Sequence, residues 1–277
     1  MLEHSDIHNP ENEMNDSGLS QPDVRTALVI GHPGHELMVH GWLETTQPRV
    51  FVFTDGSGRS NRSRLGSTTT VLNQAGAKGS EIYGRLTDAE AYEAILNHDF
   101  DLFLGLAREL CEAFAAERID CVAGDAFEGY NPVHDVCRLV INASVTLTQR
   151  LRGHRVGNLE FSLLSQPTEC HEPNHAGGIC RFLDDAAFAK KMAAAKGYPE
   201  LAGEVAALEQ ASTAALRVEC LRPIGPASGE HAYDQPPFYE AYGEKQVAAG
   251  HYRKVLRFSE HIRPLAEALS RYAEGPI

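Results

Sequence analysis

The sequence has no long apolar run. Nothing in it approaches the roughly 20 residues that a membrane-spanning helix needs, so no membrane partner is expected. Its start has no basic stretch followed by an apolar core, and no signal peptide is read there. Positive charge is scarce: 25 Lys and Arg stand against 38 Asp and Glu, a formal net charge of -13. A chain with that balance is not built to grip nucleic acid or an anionic membrane. The six cysteines (Cys111, Cys121, Cys137, Cys170, Cys180 and Cys220) are scattered and form no Cys-x-x-Cys pair. In a chain of 277 residues this predicts reduced, mostly buried thiols of a cytoplasmic protein, not a disulfide frame. No internal repeat is present.

What remains is the composition expected of an ordinary soluble globular protein, 43% hydrophobic and 23% charged. Residues 1–22 are polar and acidic and read as a disordered arm. Residues 23–277 read as a single α/β domain with a helical C-terminal extension from about residue 225. Strands are expected at 26–30, 50–53, 81–83, 119–124, 159–164, 178–183 and 216–221. Helices are expected between them at 35–45, 67–74, 89–96, 100–116, 134–151, 184–195 and 201–211, with Asp88 as an N-cap. Two more helices should close the chain, at 240–248 and 259–272. Strands alternating with helices predict a Rossmann-like, mainly parallel sheet flanked by helices.

The first strand, Ala27-Leu28-Val29-Ile30, runs into a turn carrying His32 and His35. Gly31, Pro33 and Gly34 break the apolar pattern there, and Leu37, Val39 and Trp42-Leu43 resume at helical spacing. The second strand ends in Thr54-Asp55-Gly56, and the 119–124 strand exits through Asp125, Glu128, Asn131 and His134. Loops at the carboxyl ends of parallel strands converge on one crevice. His32 and His35 would sit on the rim of that crevice, which is good geometry for holding a metal.

At these residues the chain resembles the PIG-L/LmbE-like family of metal-dependent N-deacetylases. His32-Pro33-Gly34-His35-Glu36 stands where that family has His-Pro-Asp-Asp-Glu, and Asn131-Pro132-Val133-His134-Asp135 stands for its His-Pro-Asp-His segment. The runs 190–198 and 218–223 resemble it as well. The resemblance implies zinc held by His32, His35 and His134, with histidine replacing the family's aspartate ligand at position 35. It also implies a departure. The family's general base falls on Gly34, which has no side chain, and its oxyanion-stabilising histidine falls on Asn131, an uncharged donor.

Two functions follow. The first is hydrolysis of a C–N amide bond, an N-acyl group on a sugar-like or other small polar molecule. Neutral imidazoles leave the full charge on the metal, and Asn131, Asp55, Glu36 and Asp125 are the candidates to assist. The second is an altered homologue that binds a metabolite or partner without deacetylating it. Plainer readings stand beside these. His32 and His35 could cap a helix, Asp55 could organise an Asp-Gly turn, and Glu36 could answer a helix dipole. Arg59, Arg62 and Arg64 form a solvated loop or hold a substrate anion. Cys170, His171, His175 and Cys180 match no zinc spacing. The segment with His231, Tyr233, Phe238, Tyr239 and Tyr242 packs a helix, lines a sugar site or makes a contact in a homo-oligomer.

Overall fold

Four apolar residues in a row cannot all face one side of a strand, so a segment like 27–30 is stable only where both faces are covered. The computed structural model, which describes residues 24–164, 178–211, 213–224 and 235–275, shows that arrangement. Strand β1 (Thr26–Ile30) is wholly buried and central. After it come a 3-10 turn (His35–Val39), α1 (His40–Thr46), β2 (Arg49–Thr54), α2 (Leu65–Ala75), β3 (Lys78–Leu86), α3 (Asp88–Leu96) and α4 (Phe100–Ala116). Next are β4 (Cys121–Asp125), α5 (Pro132–Arg152), β5 (Gly157–Phe161), β6 (Ile179–Phe182) and α6 (Asp185–Lys196). A 3-10 turn (Pro199–Leu201) leads into α7 (Ala202–Ala211), α8 (Thr213–Leu216) and β7 (Val218–Pro223). The chain closes with α9 (Phe238–Ala248), a π-helical turn (Phe258–Ile262) and α10 (Arg263–Glu274).

The seven strands form one sheet in the order β3-β2-β1-β4-β5-β7-β6, the α/β architecture expected. β1 pairs in parallel with both β2 and β4, so the chain winds outward in both directions from this pair. Alternate side chains go to opposite layers. Ala27, Val29, Phe51 and Phe53 join the core under α4, α5 and α10. Leu28, Ile30, Val50 and Val52 join the core with Trp42, Leu72 and Tyr198 on the other face. Each Val, Leu, Ile or Phe among these contributes about 1.5–3 kcal/mol by leaving water.

Several expectations need correction. The third strand covers nine residues, not three, and shifts register against β2. Its burial is patchy, so no apolar run marks it. The last strand is antiparallel and inserts between β5 and β6. The first helix starts as a 3-10 turn, preceded by Gly34 at φ +106°. Cys220 is disulfide-bonded, against the expectation of thiols throughout; Cys111, Cys121, Cys137 and Cys180 are free. No helix among the described residues is long and apolar enough to cross a membrane. The expected arm at 1–22 and the residues Cys170, His171, His175, His231 and Tyr233 lie outside the described residues.

Candidate metal centre

The carboxyl ends of β1 and β4 lie side by side where the sheet's winding reverses, the usual ligand crevice of an open α/β sheet. Each contributes histidines. His32 and His35 leave the turn after β1, and His134 sits in the first turn of α5 after β4. The three rings are mutual neighbours: centroids are 5.4 Å apart for His32 and His35, 4.9 Å for His32 and His134, and 4.5 Å for His35 and His134. Imidazoles sharing one tetrahedral ion through zinc–nitrogen bonds of about 2.0 Å have ring centres roughly 5 Å apart.

Each ring is held in its own way. His32 Nδ1 lies 2.9 Å from Asp88 Oδ1 and 2.8 Å from Thr54 Oγ1. The Thr54 hydroxyl donates to the Gly31 carbonyl at 3.0 Å, so His32 Nδ1 is the donor and Nε2 carries the lone pair. His35 Nδ1 lies 3.0 Å from both oxygens of Asp125. His134 Nδ1 is buried with no hydrogen-bond partner among the described residues. Burial, with His35 and His32 close by, pushes the His134 pKa well down and keeps the ring neutral, the state in which it ligates. Burial would lower His35 too, but the charge and hydrogen bond of Asp125 outweigh it and raise the pKa.

The donor set therefore fits a zinc-like ion: three imidazoles, two of them backed by carboxylates and the third with an orphaned nitrogen. Among the described residues, no three His, Cys, Asp or Glu side chains already meet in the geometry of a metal cluster. The triad is assembled at the level of rings, not of donor atoms.

The remaining candidates divide by what they touch. Asp125 is fully buried and binds His35, while its Oδ2 accepts the Gly31 amide at 2.7 Å. Beneath it, the buried Arg138 donates through Nε to the Asp125 carbonyl at 2.6 Å, and to Asn158 Oδ1 and the Leu159 carbonyl through its other nitrogens. Arg138 lies one helical turn beyond His134, so a single face of α5 serves both strand ends. Asn131 is the N-cap of α5: its Oδ1 accepts the Val133 amide at 2.9 Å. That bond fixes the amide group and turns Nδ2 toward His32 Nε2, 3.4 Å away.

Glu36 is fully buried. Its Oε2 accepts the Gly34 amide at 2.8 Å, and its Oε1 accepts the Tyr198 hydroxyl, which also lies 2.8 Å from Thr68 Oγ1. Burial pushes the Glu36 carboxyl up despite these bonds. Asp55 organises the turn after β2: its Oδ1 accepts the Ser57 amide at 2.9 Å, and no hydrogen bond joins it to the three histidines among the described residues. Glu128 binds Ser162 and the Leu163 amide, tying two loops together. Where the resembled family has its base, a Cβ built on Gly34 would come 2.9 Å from Leu201 Cδ1, so that space holds an apolar side chain.

Asp88 was missed as a site residue. The N-cap of α3 is Thr87, which forms a capping box with Glu90, and Asp88 is released to bind His32 and the Gly58 amide. Burial alone would raise the Asp88 carboxyl; the bonds from His32 and the Gly58 amide win and hold it well below the usual carboxylate range. Another buried polar cluster holds the start of α1. Lys191 and Glu219, from the two later segments of the resemblance, form a buried pair at 3.1 Å, and Glu219 accepts the amides of Gly41 and Trp42 at the start of α1.

No family model and no curated protein matches the chain. Solved structures do. A deacetylase of the antimicrobial A40926 pseudoaglycone superposes with a TM-score of 0.50 at 17% identity, over 72% of this chain and 96% of that one. A triple mutant of a deacetylase in the teicoplanin biosynthetic pathway gives 0.49 at 13% identity, over 72% and 97%. The zinc-inhibited form of a teicoplanin deacetylase gives 0.44 at 10% identity, over 72% and 97%. The class established is thus a fold, the α/β sheet with flanking helices found in the first of these deacetylases.

Proposed function

We propose that this chain is a divergent PIG-L/LmbE-like hydrolase of a C–N amide bond, removing an N-acyl group from a sugar-like or other small polar molecule. The observation that carries this reading is the meeting of His32, His35 and His134 at ring spacings of 4.5–5.4 Å, with carboxylates behind two of them. His32, His35 and His134 would hold a divalent ion, zinc by the nature of the donors. Such an ion supplies Lewis acidity and brings its water to a pKa of about 7.

The chain's own residues do the rest. Asp88 and Asp125 hold the His32 and His35 rings with Nδ1 as the bonded nitrogen, leaving Nε2 as the lone pair toward the crevice. Asn131, its carbonyl oxygen used by the helix cap, can only present N–H, and donates it to the oxygen on which charge develops. Glu36 and Tyr198 brace the turn that carries the histidines. Arg64 lies beside Gly56 and Pro33 with its Nε buried and without a partner among the described residues, and offers a contact to an anionic substrate group.

A second reading, a homologue that binds its ligand without hydrolysis, is favoured by Leu201 occupying the space next to Gly34. Acetate release from a panel of N-acetylated sugars, with and without a chelator, separates the two. Release abolished by chelator and restored by zinc supports the hydrolase; zinc binding without release from any member supports the second reading.

A further inference from the structure

Tyr130 and Phe238 are large rings left in the open, 46% and 55% exposed. They are not scattered. The rings stack on one another with centroids 5.2 Å apart and planes 11° apart. Tyr242, one turn along α9, continues the row 6.1 Å from Phe238. Packing accounts for the inner face of α9, where Tyr239, Glu240 and Gly243 are buried, but not for Phe238 on its outer side.

This shelf joins the histidine site through the backbone. Tyr130 directly precedes Asn131, whose amide faces His32. The Gly129 carbonyl accepts the Tyr239 amide at 3.4 Å, tying the start of α9 to the exit loop of β4. Aromatic faces held open to water beside a polar site suit a ligand ring that covers the face while its polar edge stays wet. A fatty chain would call for an enclosed groove instead, since its burial scales with the area removed from water.

We infer that Tyr130 and Phe238 form a subsite for a second ring of the substrate. The preferred ligand is then a two-ring molecule, an N-acylated unit joined to a further saccharide or aryl ring, and not a free monosaccharide. This rests on the hydrolase reading for where the acylated unit lies.

The test uses the full chain as wild type, Phe238→Ala and Phe238→Tyr. The probes are N-acetylglucosamine, N,N′-diacetylchitobiose, whose second ring is a saccharide, and 4-nitrophenyl N-acetyl-β-glucosaminide, whose second ring is aryl. Binding is measured by calorimetry, and acetate release is followed in parallel. A two-ring probe should bind roughly five- to tenfold tighter than the single ring, the scale of one aromatic stacking contact. That advantage should vanish in Phe238→Ala and return in Phe238→Tyr; the probe that gains identifies the second ring. Equal binding of all three probes, or an advantage that survives Phe238→Ala, overturns the inference. So does a dimer, seen by sedimentation, that dissociates in Phe238→Ala, since the shelf then belongs to a second copy. Phe238-dependent binding with no acetate release leaves the shelf standing and sinks the hydrolase reading; release that ignores Phe238 does the reverse.

Discussion

Both carboxylate oxygens of Asp125 lie 3.0 Å from Nδ1 of His35, and Oδ2 also accepts the Gly31 amide at 2.7 Å. One buried side chain thereby fixes a ring and the backbone that starts the turn carrying it. Asparagine keeps the size but loses the charge and one acceptor. Asp125→Asn is expected to weaken zinc binding about 10–100-fold, the usual cost of losing a ligand's supporting partner. Competition with a chromophoric chelator reads this directly. Asp55→Asn, in a turn with no bond to the histidines, should leave the affinity within about threefold of wild type. Equal affinities for Asp125→Asn and wild type would remove Asp125 from its place behind His35.

Placing the resembled family's carboxylate at Gly34 should not create a base. The residue sits at φ +106°, where a side chain is strained by about 1–3 kcal/mol, and the new Cβ meets Leu201. Gly34→Asp is expected to lower Tm by roughly 5–10 °C, at about 2–4 °C per kcal/mol for a chain of this size, with no gain in acetate release. Adding Leu201→Ala should relieve the contact and recover part of the loss, but not the backbone strain. Thermal denaturation of the three proteins checks this; a Gly34→Asp variant as stable as wild type would contradict it.

The sheet was legible because buried strands announce themselves: residues 27–30 and 50–53 are continuous apolar runs bounded by glycine, proline or polar turns. The choice of His32, His35 and His134 as a set came from the resemblance of the two motifs that carry them; the strands placed only their loops at one end of the sheet. Asp88 was not legible. Its partner His32 is 56 residues away, and at the start of a helix an aspartate looks like a cap until Thr87 is seen to fill that role. The apolar plug over Gly34 was equally invisible, because Leu201 arrives from a 3-10 turn 167 residues later and only the fold brings them together. β7 could be found as a strand; its direction depends on how the chain returns to β5, which no local pattern encodes.

Acid should destabilise the fold before its carboxylates titrate. Burial lowers the pKa of His40 and of His261, so both are neutral in the fold and take up a proton on unfolding. Below the ordinary histidine pKa of about 6.5 the unfolded chain binds more protons, and stability falls as pH drops from there toward the folded values. Tm measured from pH 7.5 to pH 5 is expected to decline. The double variant His40→Gln/His261→Gln should show a shallower slope over the same range. Parallel slopes for the two proteins would show that these rings carry no such linkage.

The most direct test is the zinc content of the purified chain after reconstitution and removal of free metal, measured by plasma mass spectrometry for wild type and for His32→Ala, His35→Ala and His134→Ala. A shared site predicts about one ion per wild-type chain and a near-complete loss in each of the three variants, with folding confirmed by circular dichroism. A wild-type chain that retains no ion, or variants that keep it as well as wild type does, would contradict the account.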